Sequence, residues 1–159
     1  MTSHTPTRIL FVCLGNICRS QMAEAMFNAE LIQRGLSDLY EIDSAGTSDE
    51  EHGNPMYPPA RRCLLAHGIN PGTHRARQIT PADYALFDHI ILMEEANLRQ
   101  LRRTIPDDPE GKITLLLDHV PNASHRNIAD PWYTGDFETT YNDLLLGLNA
   151  LLQSLQGNL

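Results

Sequence analysis

The stretch CLGNICRS, Cys13 to Ser20, sets a cysteine, five small or neutral residues, an arginine and a serine directly behind an apolar run. A loop of small residues between a strand and a helix can turn its backbone N–H groups inward, forming an anion-binding nest at the positive end of the helix dipole. Leu14, Gly15, Asn16, Ile17 and Cys18 would be that loop. Arg19 adds a forked guanidinium that matches two oxygens of a phosphate. The same positive field suits a thiolate on Cys13, and a thiolate beneath a bound phosphoryl group is in line for attack on phosphorus. Ser20 can donate a hydrogen bond to that sulfur. Asn16 is of the type that tolerates a left-handed backbone or braces a loop through its amide. The competing reading of Cys13 is a buried cysteine that ends a strand, and Cys-x5-Arg alone is a weak signal; the glycine and arginine in one loop favour chemistry.

Cleaving a phosphate ester also needs a proton for the leaving oxygen. ADPWYTGDFE supplies Asp130 ahead of a proline that stiffens its backbone. Trp132 and Tyr133 offer flat walls for an aromatic leaving group, against ordinary packing of loop aromatics.

The elements that must carry these residues follow from periodicity. RILFVC, Arg8 to Cys13, reads as a strand buried on both faces, and from Ser20 the stripe Met22, Ala25, Met26, Ala29 and Ile32 reads as a helix ended by Gly35. Tyr40 to Gly46 is a second strand, followed by a polar, proline-rich loop through Pro59 and a helix from Arg61 to His67. Thr80, Pro81 and Asp83 mark the start of another short helix. Asp88 to Met93 is a third strand, Glu94 to Arg103 a helix, and Lys112 to Asp118 a fourth strand. A long irregular loop runs from Asp118 to Gly135, and Phe137, Tyr141, Leu144, Leu148, Leu151 and Leu155 define a final helix. Strands alternating with helices predict a mostly parallel α/β sheet covered on both faces, with ligands outside the carboxyl ends of the strands. Cys13 and the loop holding Asp130 both belong at that edge.

Composition bounds the rest. The 159 residues, 42% hydrophobic, suit one domain over 1–159. A formal charge of -8 argues against a nucleic-acid partner. MTSHTPTR lacks the apolar core of a signal peptide, and no apolar run approaches a membrane span, so a cytoplasmic protein without membrane insertion is expected. Three cysteines without a CxxC pair fit neither a disulfide framework nor a zinc ribbon, and seven histidines show no HxxxH or HExxH. No cofactor and no catalytic metal are expected, and Cys63 reads as a core residue.

With these residues assembled, the sequence resembles the low-molecular-weight protein tyrosine phosphatases over nearly its whole length. FVCLGNICRS, DSAGT (Asp43 to Thr47), HRARQIT (His74 to Thr80), NLRQLRR (Asn97 to Arg103) and DPWYTGDFETTY (Asp130 to Tyr141) carry the likeness in order. It implies a four-stranded parallel sheet with helices on both faces, flavodoxin-like, and a metal-free mechanism in two steps. Cys13 would attack phosphorus, Arg19 and the loop amides would hold its oxygens, and Asp130 would act as acid and then base. The likeness also implies that Ser44 and His74 brace the loop with Asn16, and that Cys18 can form a reversible disulfide with Cys13. The implied partners are phosphotyrosine-containing proteins, acted on by a monomer. Three positions depart from the family pattern: acidic Glu50 where a cleft aromatic is frequent, Gln21 for a proline, and Glu94 for an aspartate. The stretch SDEEHGN, Ser48 to Asn54, is acidic through Asp49, Glu50 and Glu51, which predicts discrimination against acidic peptides.

Three rivals stand beside this reading. Thiol-dependent arsenate reductases share the loop, and CRSQMAE resembles theirs, yet their electron relay needs further cysteines and only Cys63 remains. Phosphoarginine hydrolysis goes with threonine where Ile17 stands. A phosphate-binding module without turnover would keep the nest but need neither Cys13 nor Asp130.

Overall fold

The computed structural model describes residues 5–157, so the first four residues of MTSHTPTR lie outside the described residues. Four parallel strands, β1 (Thr7–Cys13), β2 (Tyr40–Gly46), β3 (His89–Leu92) and β4 (Ile113–Leu115), form one sheet in the order β2-β1-β3-β4. Strand alternation divides the core. Ile9 and Phe11 face a layer made by α1 (Arg19–Gln33), α2 (Pro58–Ala66) and α6 (Phe137–Leu155). Leu10 and Val12 face the other way, toward α3 (Pro81–Leu86) and α4 (Glu95–Leu101), where Phe87 and Leu101 close the second core. A strand buried on both sides must be apolar throughout, which is why RILFVC shows no polar alternation. The connection reverses direction between β1 and β3, and the crevice there opens at the carboxyl end of β1.

The expected elements are present, with four corrections. The inward face of α1 is not the stripe ending at Ile32: Ile32 is 70% exposed and Leu31 1%. Phe27 turns the helix by packing edge-on to Phe11 and Tyr40, at ring separations of 5.7 and 6.4 Å. Helix α2 begins at Pro58 rather than Arg61, because proline in a first turn loses no hydrogen bond. Strand β4 stops at Leu115. Leu116 and Leu117 then coil into a 3-10 turn, and Leu116 packs so close to α6 that a Cβ on Gly147 would lie 2.5 Å from its Cγ. In an unbroken apolar run nothing in the sequence marks that change. Last, the irregular loop contains a single helical turn, α5 (Pro131–Thr134).

Candidate active site

The loop after β1 owes its shape to its neighbours. Cys13 ends β1 in register with Gly46 at the end of β2. A Cβ on Gly46 would lie 2.7 Å from Leu14 O, so the loop can fold over β2 only if that residue is glycine. Thr47 N and Ser48 N donate to Cys13 O and Leu14 O at 2.8 and 3.1 Å. Asn16 adopts a left-handed φ of 59°, and the amide of buried Gln21 donates to its carbonyl at 2.8 Å. The departure at Gln21 therefore has a structural use. Arg19 then opens α1, so the positive end of a 15-residue helix lies over the loop.

The hydrogen bonds under the loop have a direction. Asn16 Oδ1 accepts from Arg77 N at 3.1 Å and from His74 Nε2 at 2.9 Å, which leaves Asn16 Nδ2 as donor to Ser20 Oγ (2.7 Å) and Ser44 Oγ (3.0 Å). Ser20, having accepted, has its own proton free for Cys13 Sγ, 3.0 Å away. Asn16 N–H also points at that sulfur, at 3.3 Å. Ser44 Oγ donates to Glu24 Oε1 at 2.6 Å. His74 donates through Nε2, so its Nδ1 faces Glu24 Oε1 and Asp43 Oδ1 at 3.3 and 3.4 Å. A proton must lie between those atoms, since a bare imidazole nitrogen would repel two carboxylates. Burial decides where it sits. It pushes the Glu24 carboxyl up to about 7 and holds the His74 imidazole below its ordinary value. Below about pH 7 that places the proton on Glu24, whose contact with His74 is then a hydrogen bond rather than an ion pair.

Arg19 is buried and held on three sides: Nη1 donates to Glu94 and, at 2.8 Å, to Ile128 O, and Nη2 donates to Asp130 Oδ2 at 3.3 Å. Burial disfavours its charge, but Cys13, Asp130 and Glu94 outweigh that, so it stays a cation. The other Asp130 oxygen accepts from Trp132 N at 3.0 Å and caps α5. Its carboxylate is thereby aimed across the loop by its own following turn.

A pocket of about 140 Å³ opens between the two loops. Cys13, Leu14, Gly15, Ile17, Cys18, Arg19, Glu50, Asp130, Trp132 and Tyr133 all line it, while Asn16, Ser20, Ser44 and His74 lie behind it as the brace. Trp132 and Tyr133 are 50% and 78% exposed. Tyr57 supports the first of these with its ring 4.6 Å away. Cys18 lies beside Cys13, where burial and then that neighbour push its thiol far up. The sequence reading did not single out Glu24, Asp43, Arg77 and Tyr57; Glu51, on the lip, was seen only as part of an acidic run, and Glu94 only as a departure from the family pattern. Glu24 lies on the side of α1 opposite the apolar stripe read from the sequence, so spacing carries no signal for it. Arg77 bridges Asp43 and buried Asp83, a link that only folding makes.

A small pocket lined by a cysteine, an arginine and an aspartate, at the switch point of a parallel sheet, places this protein among the α/β proteins whose ligand crevice lies outside the carboxyl ends of the strands. More narrowly, residues 8–159 match the low molecular weight phosphotyrosine protein phosphatases, and the chain belongs to that family. The low molecular weight phosphotyrosine protein phosphatase of Homo sapiens is 41% identical over 157 residues, covering 96% of this chain and 98% of its own. The crystal structure of YfkJ from Bacillus subtilis superposes with a TM-score of 0.94 at 36% identity, covering 98% of both chains. That of a Drosophila arginine phosphatase gives 0.84 at 30% identity, covering 93% of this chain and 97% of its own.

Proposed function

We propose that this chain, acting as one domain in the cytoplasm, hydrolyses phosphotyrosine in proteins through a phosphocysteine intermediate. The observation that carries the reading is the common position of Cys13, Arg19 and Asp130 at one pocket, although Asp130 stands 117 residues beyond Cys13 in sequence. The phosphoryl group enters the loop with its oxygens on the amides and on Arg19. Cys13 Sγ forms a bond to phosphorus as the bond to the phenolic oxygen breaks, and Asp130 gives that oxygen its proton. Ser20, whose proton points to Cys13, supports the sulfur as leaving group in the second step. A water attacks phosphorus, Asp130 takes its proton, the P–S bond breaks, and phosphate leaves. The described residues include no helix long and apolar enough to cross a membrane.

Trp132, supported by Tyr57, favours an aromatic leaving group. The acidic lip of Glu50 and Glu51 gives the second reading, phosphoarginine, whose guanidino group would be welcomed by carboxylates; Ile17 in the loop speaks for tyrosine. Arsenate reduction lacks a relay: Cys63 faces Phe137 and Glu138, not the pocket.

The test is phosphate release from phosphotyrosyl and phosphoarginyl peptides, in thiol and EDTA, by the parent, Cys13→Ser and Asp130→Asn. Turnover of the tyrosyl peptide by the parent, none by Cys13→Ser, and a loss of about 10²–10⁴ in kcat for Asp130→Asn are expected. No turnover by the parent sinks the reading, and preference for the arginyl peptide replaces tyrosine with the second substrate.

A further inference from the structure

Away from the pocket, α2 and α6 carry a thiol, an imidazole and a carboxylate to one point. Cys63 lies in α2 and His67, four residues on, caps the C-terminus of that helix above it, while Glu138 lies in the first turn of α6. Cys63 Sγ is 3.5 Å from Glu138 Oε1, and His67 Nε2 is 3.0 and 2.9 Å from the two carboxylate oxygens. A donor atom from each of the three residues falls within 4.8 Å of the others. Around tetrahedral zinc, with bonds of about 2.0–2.3 Å, neighbouring donors stand roughly 3.3–3.7 Å apart. The sulfur-to-carboxylate spacing already has that value. The imidazole-to-carboxylate spacing needs to open by about half an ångström, which rotation of the 60%-exposed Glu138 side chain supplies.

The geometry points to a binding site for a zinc-class divalent cation on Cys63, His67 and Glu138, with water completing the tetrahedron. Sulfur, nitrogen and one carboxylate make a borderline donor set that suits zinc and excludes calcium and magnesium, which need oxygen shells. The His67 ring is fixed beforehand by stacking on Tyr141, with centroids 3.7 Å apart and planes at 8°. Burial and then Glu138 push the Cys63 thiol up to about 11, so a cation must displace its proton. The S–H bond breaks, the proton goes to solvent, and the sulfur pair becomes the metal bond with no change of oxidation state. The other cluster of possible ligands, Glu24, Asp43 and His74, belongs to the loop brace and already spends its atoms on Ser44, Arg77 and a shared proton. Cys63 also faces Phe137 O at 3.7 Å, and Phe137 packs on Tyr57, which supports Trp132. A cation here would pin α2 to α6, and Tyr57 at the start of α2 and Phe137 at the start of α6 stand behind Trp132 of α5, whatever reaction the cleft performs.

The experiment uses tag-free Cys13→Ser protein, which removes the pocket thiol from competition. Zn²⁺ is titrated by calorimetry and Co²⁺ by absorbance. One Zn²⁺ per chain is expected, with a thiolate-to-cobalt band and tetrahedral d–d bands. Cys63→Ser in that background should abolish the thiolate band, and Glu138→Gln, an exposed change that leaves folding intact, should weaken binding at least about tenfold. Zn²⁺ should raise the Tm of the parent and not of Cys63→Ser. Absence of the band, its persistence without Cys63, or unchanged affinity in Glu138→Gln would each overturn the site and leave only a hydrogen-bonded cluster.

Discussion

The proton on Glu24 can be read through stability. Its carboxyl side chain is 18% exposed, and burial raises it from an ordinary 4.5 to about 7. Between those values the folded chain holds a proton that the unfolded chain has released, so stability falls as pH rises. The contribution is fully present below 4.5 and lost as pH passes 7, a total of roughly 3 kcal/mol. His74, depressed by burial, acts in the opposite direction on the acid side of 6.5. Glu24→Gln isolates the carboxyl: glutamine keeps an acceptor for Ser44 and a donor toward His74 but cannot titrate. Urea unfolding of parent and variant from pH 5 to pH 8 is the assay. The parent should lose roughly 2–3 kcal/mol relative to the variant across that range. Parallel pH profiles, or a gap that widens in the other sense, would refute the placement of the proton.

Gly46→Ala should destabilise the protein by about 1–3 kcal/mol in urea and lower turnover, because its Cβ meets Leu14 O at 2.7 Å; a variant with parental stability and kinetics would show that the loop has room. Neutralising Asp49, Glu50 and Glu51 together should lower KM for an acidic phosphopeptide by about threefold to tenfold at low salt, with little change for a neutral one. Equal kinetics on both peptides would remove the acidic lip from substrate choice. With hydrogen peroxide as oxidant, Cys13 would go to a sulfenic acid that condenses with the Cys18 thiol, releasing water and storing a reducible disulfide. Recovery with dithiothreitol should therefore be complete for the parent and poor for Cys18→Ser; full recovery of the variant would exclude Cys18 as the resolving thiol.

Much of this was legible in the sequence because it depends on contiguous residues. Strand β1 and the start of α1 are local, since an apolar run, then small residues and an arginine, mark where a helix begins just beyond a cysteine. The order of strands and helices came from period alone, and a parallel sheet then puts Cys13 and the Asp130 loop at the same edge. Only the tertiary structure decided the rest. The end of β4 is set by Leu116 pressing against Gly147 on a helix 31 residues away. Glu94 reaches Arg19, and Glu24 reaches His74, across elements that share no sequence neighbourhood. Whether a carboxyl there is charged depends on burial, a property of the packed interior. A spacing can nominate Cys13, but what surrounds it is fixed when the sheet, two loops and α1 close on one another.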